Sequence, residues 1–243
     1  MAIEQLRALW QLSFGDSDEF IGFFFDTAYA HDRCRMIVRD GRAAAALYWL
    51  DAEYAGQKFA YLYAVATHPD FRNQGLCKQL MAQTHAALTQ QGYHGALLMP
   101  AEEDLRRMYA KMGYRNCCSV SEFSCMAGVP VPVRSVGKEE YALLRREFLP
   151  DGGVIQENEN LDYLATYAHF YAGSDFLLAA APQSGQLHGI ELLGNPQAAP
   201  GILAALGYGE GTFRTPGTEI PFAMFRPLKE NAKAPSYFGL AFD

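Results

Sequence analysis

The sequence predicts an α/β fold: a mostly antiparallel sheet flanked by helices, followed by a second, smaller α/β unit. Three observations carry that prediction. Over the first half, helical and alternating apolar periodicities succeed one another as helix, helix, three strands, helix, strand, helix, strand. At residues 127–133 the composition shifts, with Gly128, Pro130 and Pro132 close together as in a linker, which divides the chain into domains 1–127 and 128–243. Finally, residues 96–100, a helix and Met112-Gly113-Tyr114 are echoed by residues 190–194, a helix and Leu206-Gly207-Tyr208, the pattern of a duplicated fold.

Each element has its own signal. In residues 4–30, Leu6, Leu9, Trp10 and Phe14 share one helical face, and Phe20, Phe23, Phe24 and Thr27 share the next. Gly15-Asp16-Ser17-Asp18 breaks the two and offers N-cap chemistry to the second. Residues 35–39 and 43–54 read as a hairpin turned by Asp40-Gly41, and residues 59–66 add a third antiparallel strand. Pro69 forbids that strand from continuing. A helix follows over 75–90 with Leu76, Leu80, Met81, Thr84 and Leu88 inward, then a strand at 96–99 and a helix at 102–112 closed by Gly113. Residues 114–125 read as one or two strands ending the first half. In the second half we expect a strand at 131–136, helices at 138–148, 161–171 and 197–206, strands at 176–181 and 187–193, and closing strands around Phe213 and at 222–225.

Bulk properties narrow the function. A net charge of −7 with no run of Lys and Arg argues against a nucleic-acid partner, which needs a basic face. No apolar stretch nears the roughly 20 residues of a bilayer span, and residues 1–7 lack a signal-peptide pattern, so no membrane association is expected. Five cysteines without a CxxC pair, and histidines without ligand spacing, read as reduced thiols in a cytoplasmic protein that holds no metal. A homo-oligomer is compatible with all of this.

The chemistry concentrates in V-A-T-H-P-D-F-R-N-Q-G-L-C-K-Q-L, residues 65–80. A strand stops, a loop carries Arg72 and Gly75, and a helix begins at once. The unpaired N–H groups of the loop and first helical turn, with the positive end of the helix dipole, suit a phosphate or pyrophosphate. Gly75 lets the backbone approach such a ligand, while Arg72 either adds charge beside it or ties down the loop.

This string resembles the acyl-CoA signature R/Q-x-x-G-x-G/A of the GNAT N-acyltransferase superfamily, with Arg72, Gly75 and Cys77 at the marked positions; Cys77 departs from the small residue expected. L-R-R-M-Y-A-K-M-G-Y, residues 105–114, is similar to the family's A-x-x-L-Y-x-K-x-G-F helix, although Leu105 replaces a small residue and Glu102 stands where Asn is common. The resemblance covers about residues 1–126. It implies a mixed, mostly antiparallel GNAT sheet that splays between the strands at 59–66 and 96–99, with the second half as a degenerate GNAT-like unit. It further implies acetyl-CoA as cosubstrate and transfer of its acyl group to an amine, either a small molecule or a peptide. The implied cofactor contacts are Val65, Ala66 and Thr67 on the strand edge and Arg72, Asn73, Gln74, Gly75, Leu76 and Cys77 in the loop and helix start. Tyr109 takes the place of the tyrosine that protonates the leaving thiolate, a sensible donor since a phenol titrates near 10.

No base is evident from the residues. Glu53, His68, a carboxylate of the second half and Asp243 are open candidates, and a free amine of modest pKa needs none. Tyr48, Trp49, Tyr61 and Tyr63 read either as an acceptor pocket or as sheet packing. A non-catalytic acyl-CoA-binding or regulatory module is the competing class. No GxSxG, Walker or GxGxxG string supports a hydrolase or nucleotide enzyme.

Overall fold

The computed structural model describes residues 2–242 of the chain. It opens with helices α1 (Ala2–Phe14) and α2 (Asp18–Thr27), separated where expected. Ser17 caps α2, its Oγ accepting the Phe20 N–H at 3.2 Å. Strands β1 (Cys34–Arg39), β2 (Arg42–Tyr54) and β3 (Gln57–Thr67) form the antiparallel meander. Asp40 and Gly41, both at positive φ, make the two-residue turn their sequence promised. Helix α3 (Leu76–Gln90) then crosses to β4 (Gly95–Leu98), which pairs parallel to β3. Helix α4 (Glu103–Ala110) leads to the short β5 (Arg115–Asn116).

Thereafter come β6 (Ser119–Met126), β7 (Arg134–Val136), α5 (Lys138–Phe148), α6 (Glu159–Leu164), β8 (His169–Ala172), β9 (Phe176–Gln183) and β10 (Gln186–Gly194). The remainder is α7 (Ala199–Leu206), β11 (Glu210–Pro216), β12 (Ile220–Pro221) and β13 (Met224–Pro227). A helix was expected over 161–171, but it stops at Leu164. The aromatic run from His169 instead pairs with β7 and β9, burying Phe170 and Ala172 on the ladder.

Two compact units result, each with its own sheet. The first comprises residues 2–98, 102–115 and 225–233, on the sheet β1-β2-β3-β4-β13-β5. Trp10, Phe24, Tyr48 and Tyr63 pack ring against ring, at 4.9 to 5.6 Å between centroids, where the first helices cover the meander. Position 95 has no room for a Cβ, which would stand 2.3 Å from the Phe225 ring, so glycine there lets Phe225 stack on Phe59.

The second unit comprises residues 99–101, 116–224 and 234–242, on the sheet β12-β6-β11-β10-β9-β8-β7. Strand β10 runs antiparallel to β9 and, after the crossover through α7, parallel to β11. A buried ionic cluster braces it. Arg145 donates from Nε and Nη2 to the two oxygens of Glu191 at 2.7 and 2.9 Å, and Tyr141 and Tyr237 each donate to the same carboxylate at 3.0 Å.

The sheets partition the chain differently from the linear reading. Residues 119–126, expected to close the first half, run in the second sheet beside β11. The closing strand expected at 222–225 becomes β13 and completes the first sheet, between β4 and β5. Among the described residues, no helix is long and apolar enough to cross a membrane, and no three His, Cys, Asp or Glu side chains are grouped to hold a metal ion.

Candidate functional site

Strands β3 and β4 share only three paired positions, Phe59↔Gly95, Ala60↔Ala96 and Tyr61↔Leu97. Strand β4 ends at Leu98 while β3 runs on to Thr67, so the last residues of β3 have a ladder partner on the β2 side alone. The register slips within that stretch: Ala46 faces Ala66 but Tyr48 faces Tyr63, which leaves one extra residue on β3. The bulge is made by Ala64, at φ 47°, in a region that a side chain adopts only at a cost. No sequence signal marked it, since alanine is not a left-handed residue by habit.

Beyond the bulge the direction of each backbone group can be assigned. The N–H of His68 donates to Ala44 of β2 at 2.9 Å, so by strand alternation Ala66 also turns to β2 while Val65 and Thr67 turn to the open side. Consistently, the Thr67 carbonyl accepts from Arg72 Nε at 3.2 Å. Of the three edge residues expected to offer backbone contacts, Val65 and Thr67 are therefore oriented for it. Ala66 is not.

The loop from His68 to Gly75 is braced by its own side chains. His68 Nδ1 accepts the Asp70 N–H, Gln74 Nε2 donates to the Asp70 carbonyl, and Arg42 pairs with Asp70 at 3.3 Å while lying over the Phe71 ring. Arg72, through its bond to Thr67, is one of these braces. Asn73 and Gly75 both adopt left-handed φ, 61° and 77°, and Gly75 is the N-cap of α3. A Cβ built on Gly75 meets nothing within 4 Å, so the space over it is open, and the first turn of α3 carries no carboxylate. Leu76 is buried as the first helical residue, and Cys77 is half-buried beside it, its thiol pushed up in pKa by that burial. Alternating αL residues at the positive end of a 15-residue helix form a concave set of N–H groups suited to an anion.

Tyr109 stands on α4 with its ring 5.9 Å from Tyr114, and Tyr114 Oη lies 2.8 Å from His85 Nε2 on α3. Burial, with a smaller contribution from the Cys77 thiol, holds the Tyr109 phenol well above its ordinary pKa. That thiol, on the first turn of α3, brings Tyr109 into the same neighbourhood as the loop. Its hydroxyl makes no hydrogen bond among the described residues, and it stays protonated across the physiological range.

The candidate bases fare differently. Glu53 pairs across from Lys58 at the far end of the hairpin from Thr67, which faces Ala45; eight residues of strand put it about 26 Å away, so Glu53 is excluded. His68 lies at the right end, but an Nδ1 that accepts from Asp70 leaves the proton of the neutral ring on Nε2, a donor. Asp243 lies outside the described residues. Tyr48, Trp49 and Tyr61 are core side chains, whereas Tyr63 is half-buried beside the bulge and alone of that set keeps access to it.

Residues 2–117 match the family model of the acetyltransferase (GNAT) domain, over the same segment that carries the bulge, the loop and Tyr109. Over this segment, just under half of the chain, the sequence is similar to the GNAT acetyltransferases. Solved structures extend the likeness across both units. A GCN5-related N-acetyltransferase from Kribbella flavida superposes with a TM-score of 0.70 at 17% identity, covering 93% of this chain and 68% of its own. One from Anabaena variabilis gives 0.68 at 17%, covering 93% and 70%. A tandem GNAT protein from the clavulanic acid biosynthesis pathway gives 0.57 at 11%, covering 95% and 96%. At such identities the likeness is one of fold. No curated protein matches the sequence.

Proposed function

We propose that this protein is an N-acetyltransferase that moves the acetyl group of acetyl-CoA directly to an amine. One observation carries the reading: β3 outlives its pairing with β4 and bulges at Ala64, so that an open strand edge, an anion-receptive loop and a protonated tyrosine converge. The residues fit the cosubstrate. The N–H groups from Asn73 to Cys77 suit a pyrophosphate, Val65 and Thr67 offer strand-like bonds to amides, and the half-buried Cys77 leaves the helix start open. Bound acetyl-CoA supplies an activated thioester.

The chain's own groups do the rest. The Val65 N–H, freed on the open side of the bulge, stabilises developing negative charge on an acyl oxygen. Tyr109 delivers its proton to the departing sulfur; burial keeps the phenol protonated at neutral pH, so the donor is loaded when the thiolate leaves. With Glu53 excluded and His68 a donor, the acceptor enters as the free amine, of a small molecule or a peptide, and the proton its nitrogen sheds on forming the amide passes through solvent to the Tyr109 phenolate. The second unit reads as a degenerate copy of the first, because its β10–α7–β11 crossover repeats the parallel arrangement of β3–α3–β4 without the loop. Cys77 in place of a smaller residue favours a second reading, a non-catalytic acyl-CoA-binding module.

Calorimetry with acetyl-CoA tests the cosubstrate. Wild type should bind, and Gly75→Glu, which sets a carboxylate and a strained φ at the helix start, should lose at least tenfold in affinity. A well-folded wild type without binding overturns both readings.

A further inference from the structure

Along α3, from Lys78 in its first turn to Thr89 in its last, lies a cavity of about 570 Å³ that the turn after α4 and β13 also line. Neither the cofactor loop, nor the open edge of β3, nor Tyr109 lines it. Its charged residues are Lys78, Lys111 and Arg226, without a single Asp or Glu. In a chain of net charge −7, where surface cations readily find carboxylates, none of these three forms an ion pair among the described residues.

The cavity is built rather than incidental. Arg226 is anchored through Nη1 to the Met112 carbonyl, and its buried Nε has no partner. Gly113, at φ 89°, makes room for it, since a Cβ there would come within 2.5 Å of Nη1. His85 forms part of the lining as a neutral ring, its pKa lowered to about 4 by burial and then by Arg226, so the positive charge rests on groups that keep it throughout the physiological range.

We propose that this cavity binds a small phosphorylated molecule, held by Arg226 at its floor and by Lys78 and Lys111 at its rim. The volume suits a metabolite, and a guanidinium with a free Nε beside two ammonium groups is matched to a phosphate's charge and oxygens. The site is independent of the acyl-transfer reading.

The test titrates inorganic pyrophosphate into the full chain at constant ionic strength, with Gly75→Glu in place to block the α3 loop. Saturable binding should persist in that background. It should weaken at least tenfold when Lys78→Gln and Lys111→Gln are added; both side chains are exposed, so folding is retained. Arg226→Gln should abolish it. Binding that vanishes with Gly75→Glu alone, or that the lysine pair leaves unchanged, overturns the proposal. Because acetyl-CoA affinity is measured separately on wild type, either proposal can fail without the other.

Discussion

The chain contains two parallel crossovers, and they part company just beyond their strands' last shared pair. In β3–α3–β4 and in β10–α7–β11 alike, three residue pairs join the parallel strands, and the register of the central strand then slips, near Ala64 in one and Ile190 in the other. The first leaves its strand edge open and enters α3 through Asn73 and Gly75. In the second, Glu191 anchors Arg145, Tyr141 and Tyr237 at the equivalent stretch, and the helix entry passes through Pro196 and Pro200, which carry no N–H to offer. Two glycines make the contrast plain. A Cβ on Gly75, at the start of α3, would meet nothing, whereas one on Gly194, at the end of β10, would press to 2.2 Å from the Asp175 carbonyl. One geometry serves as a site when its interior is left unfilled and as a core when it is filled.

Removing the filler should do the most damage. Glu191→Gln keeps the shape but leaves Arg145, itself buried, without a counter-charge, and should lower unfolding stability in urea by about 3 to 5 kcal/mol. A loss below about 1 kcal/mol would break the comparison, since the second crossover would then not depend on its cluster.

Beside the open crossover, a substitution on α4 should spare the fold and strike the chemistry. Tyr109→Phe is expected to slow acetyl transfer about a hundredfold, roughly 2.7 kcal/mol in barrier, with the melting temperature little changed. Turnover equal to wild type would remove Tyr109 as the proton donor.

The smallest effect concerns acid. His85 has a folded pKa of about 4 against an ordinary 6.5, so the unfolded chain binds the extra proton between those values. Its contribution is whole above pH 6.5 and is lost as pH falls toward 4, with about 2 kcal/mol gone by pH 5. His85→Gln should flatten that part of the stability profile, as measured by urea unfolding at pH 5 and 7; an unchanged slope would assign the acid sensitivity elsewhere.

Local chemistry was legible in the sequence, and long-range pairing was not. The break before α2, the Asp40-Gly41 turn, the α3 loop and the helix bearing Tyr109 all rest on interactions between near neighbours, and the structure has each where the residues promised it. The exchange of β6 and β13 between sheets depends on partners more than eighty residues away, which no periodicity encodes. Ala64 was invisible for another reason: its backbone is held by the ladder around it, not by its own preference. The echo between the halves does not match the crossovers. It set α7 against α4, whereas the crossover helix of the first unit is α3.

Strand β13 has a consequence for synthesis. The sheet that carries the loop and Tyr109 lacks its inner strand until residues 224–227 emerge, roughly 110 residues after β5. At typical ribosomal speeds the nascent first unit waits several seconds with β4 exposed along one edge. The chain therefore cannot mature domain by domain from its N-terminus, and a translation arrest anywhere in the second half would release a first unit with an unfinished sheet.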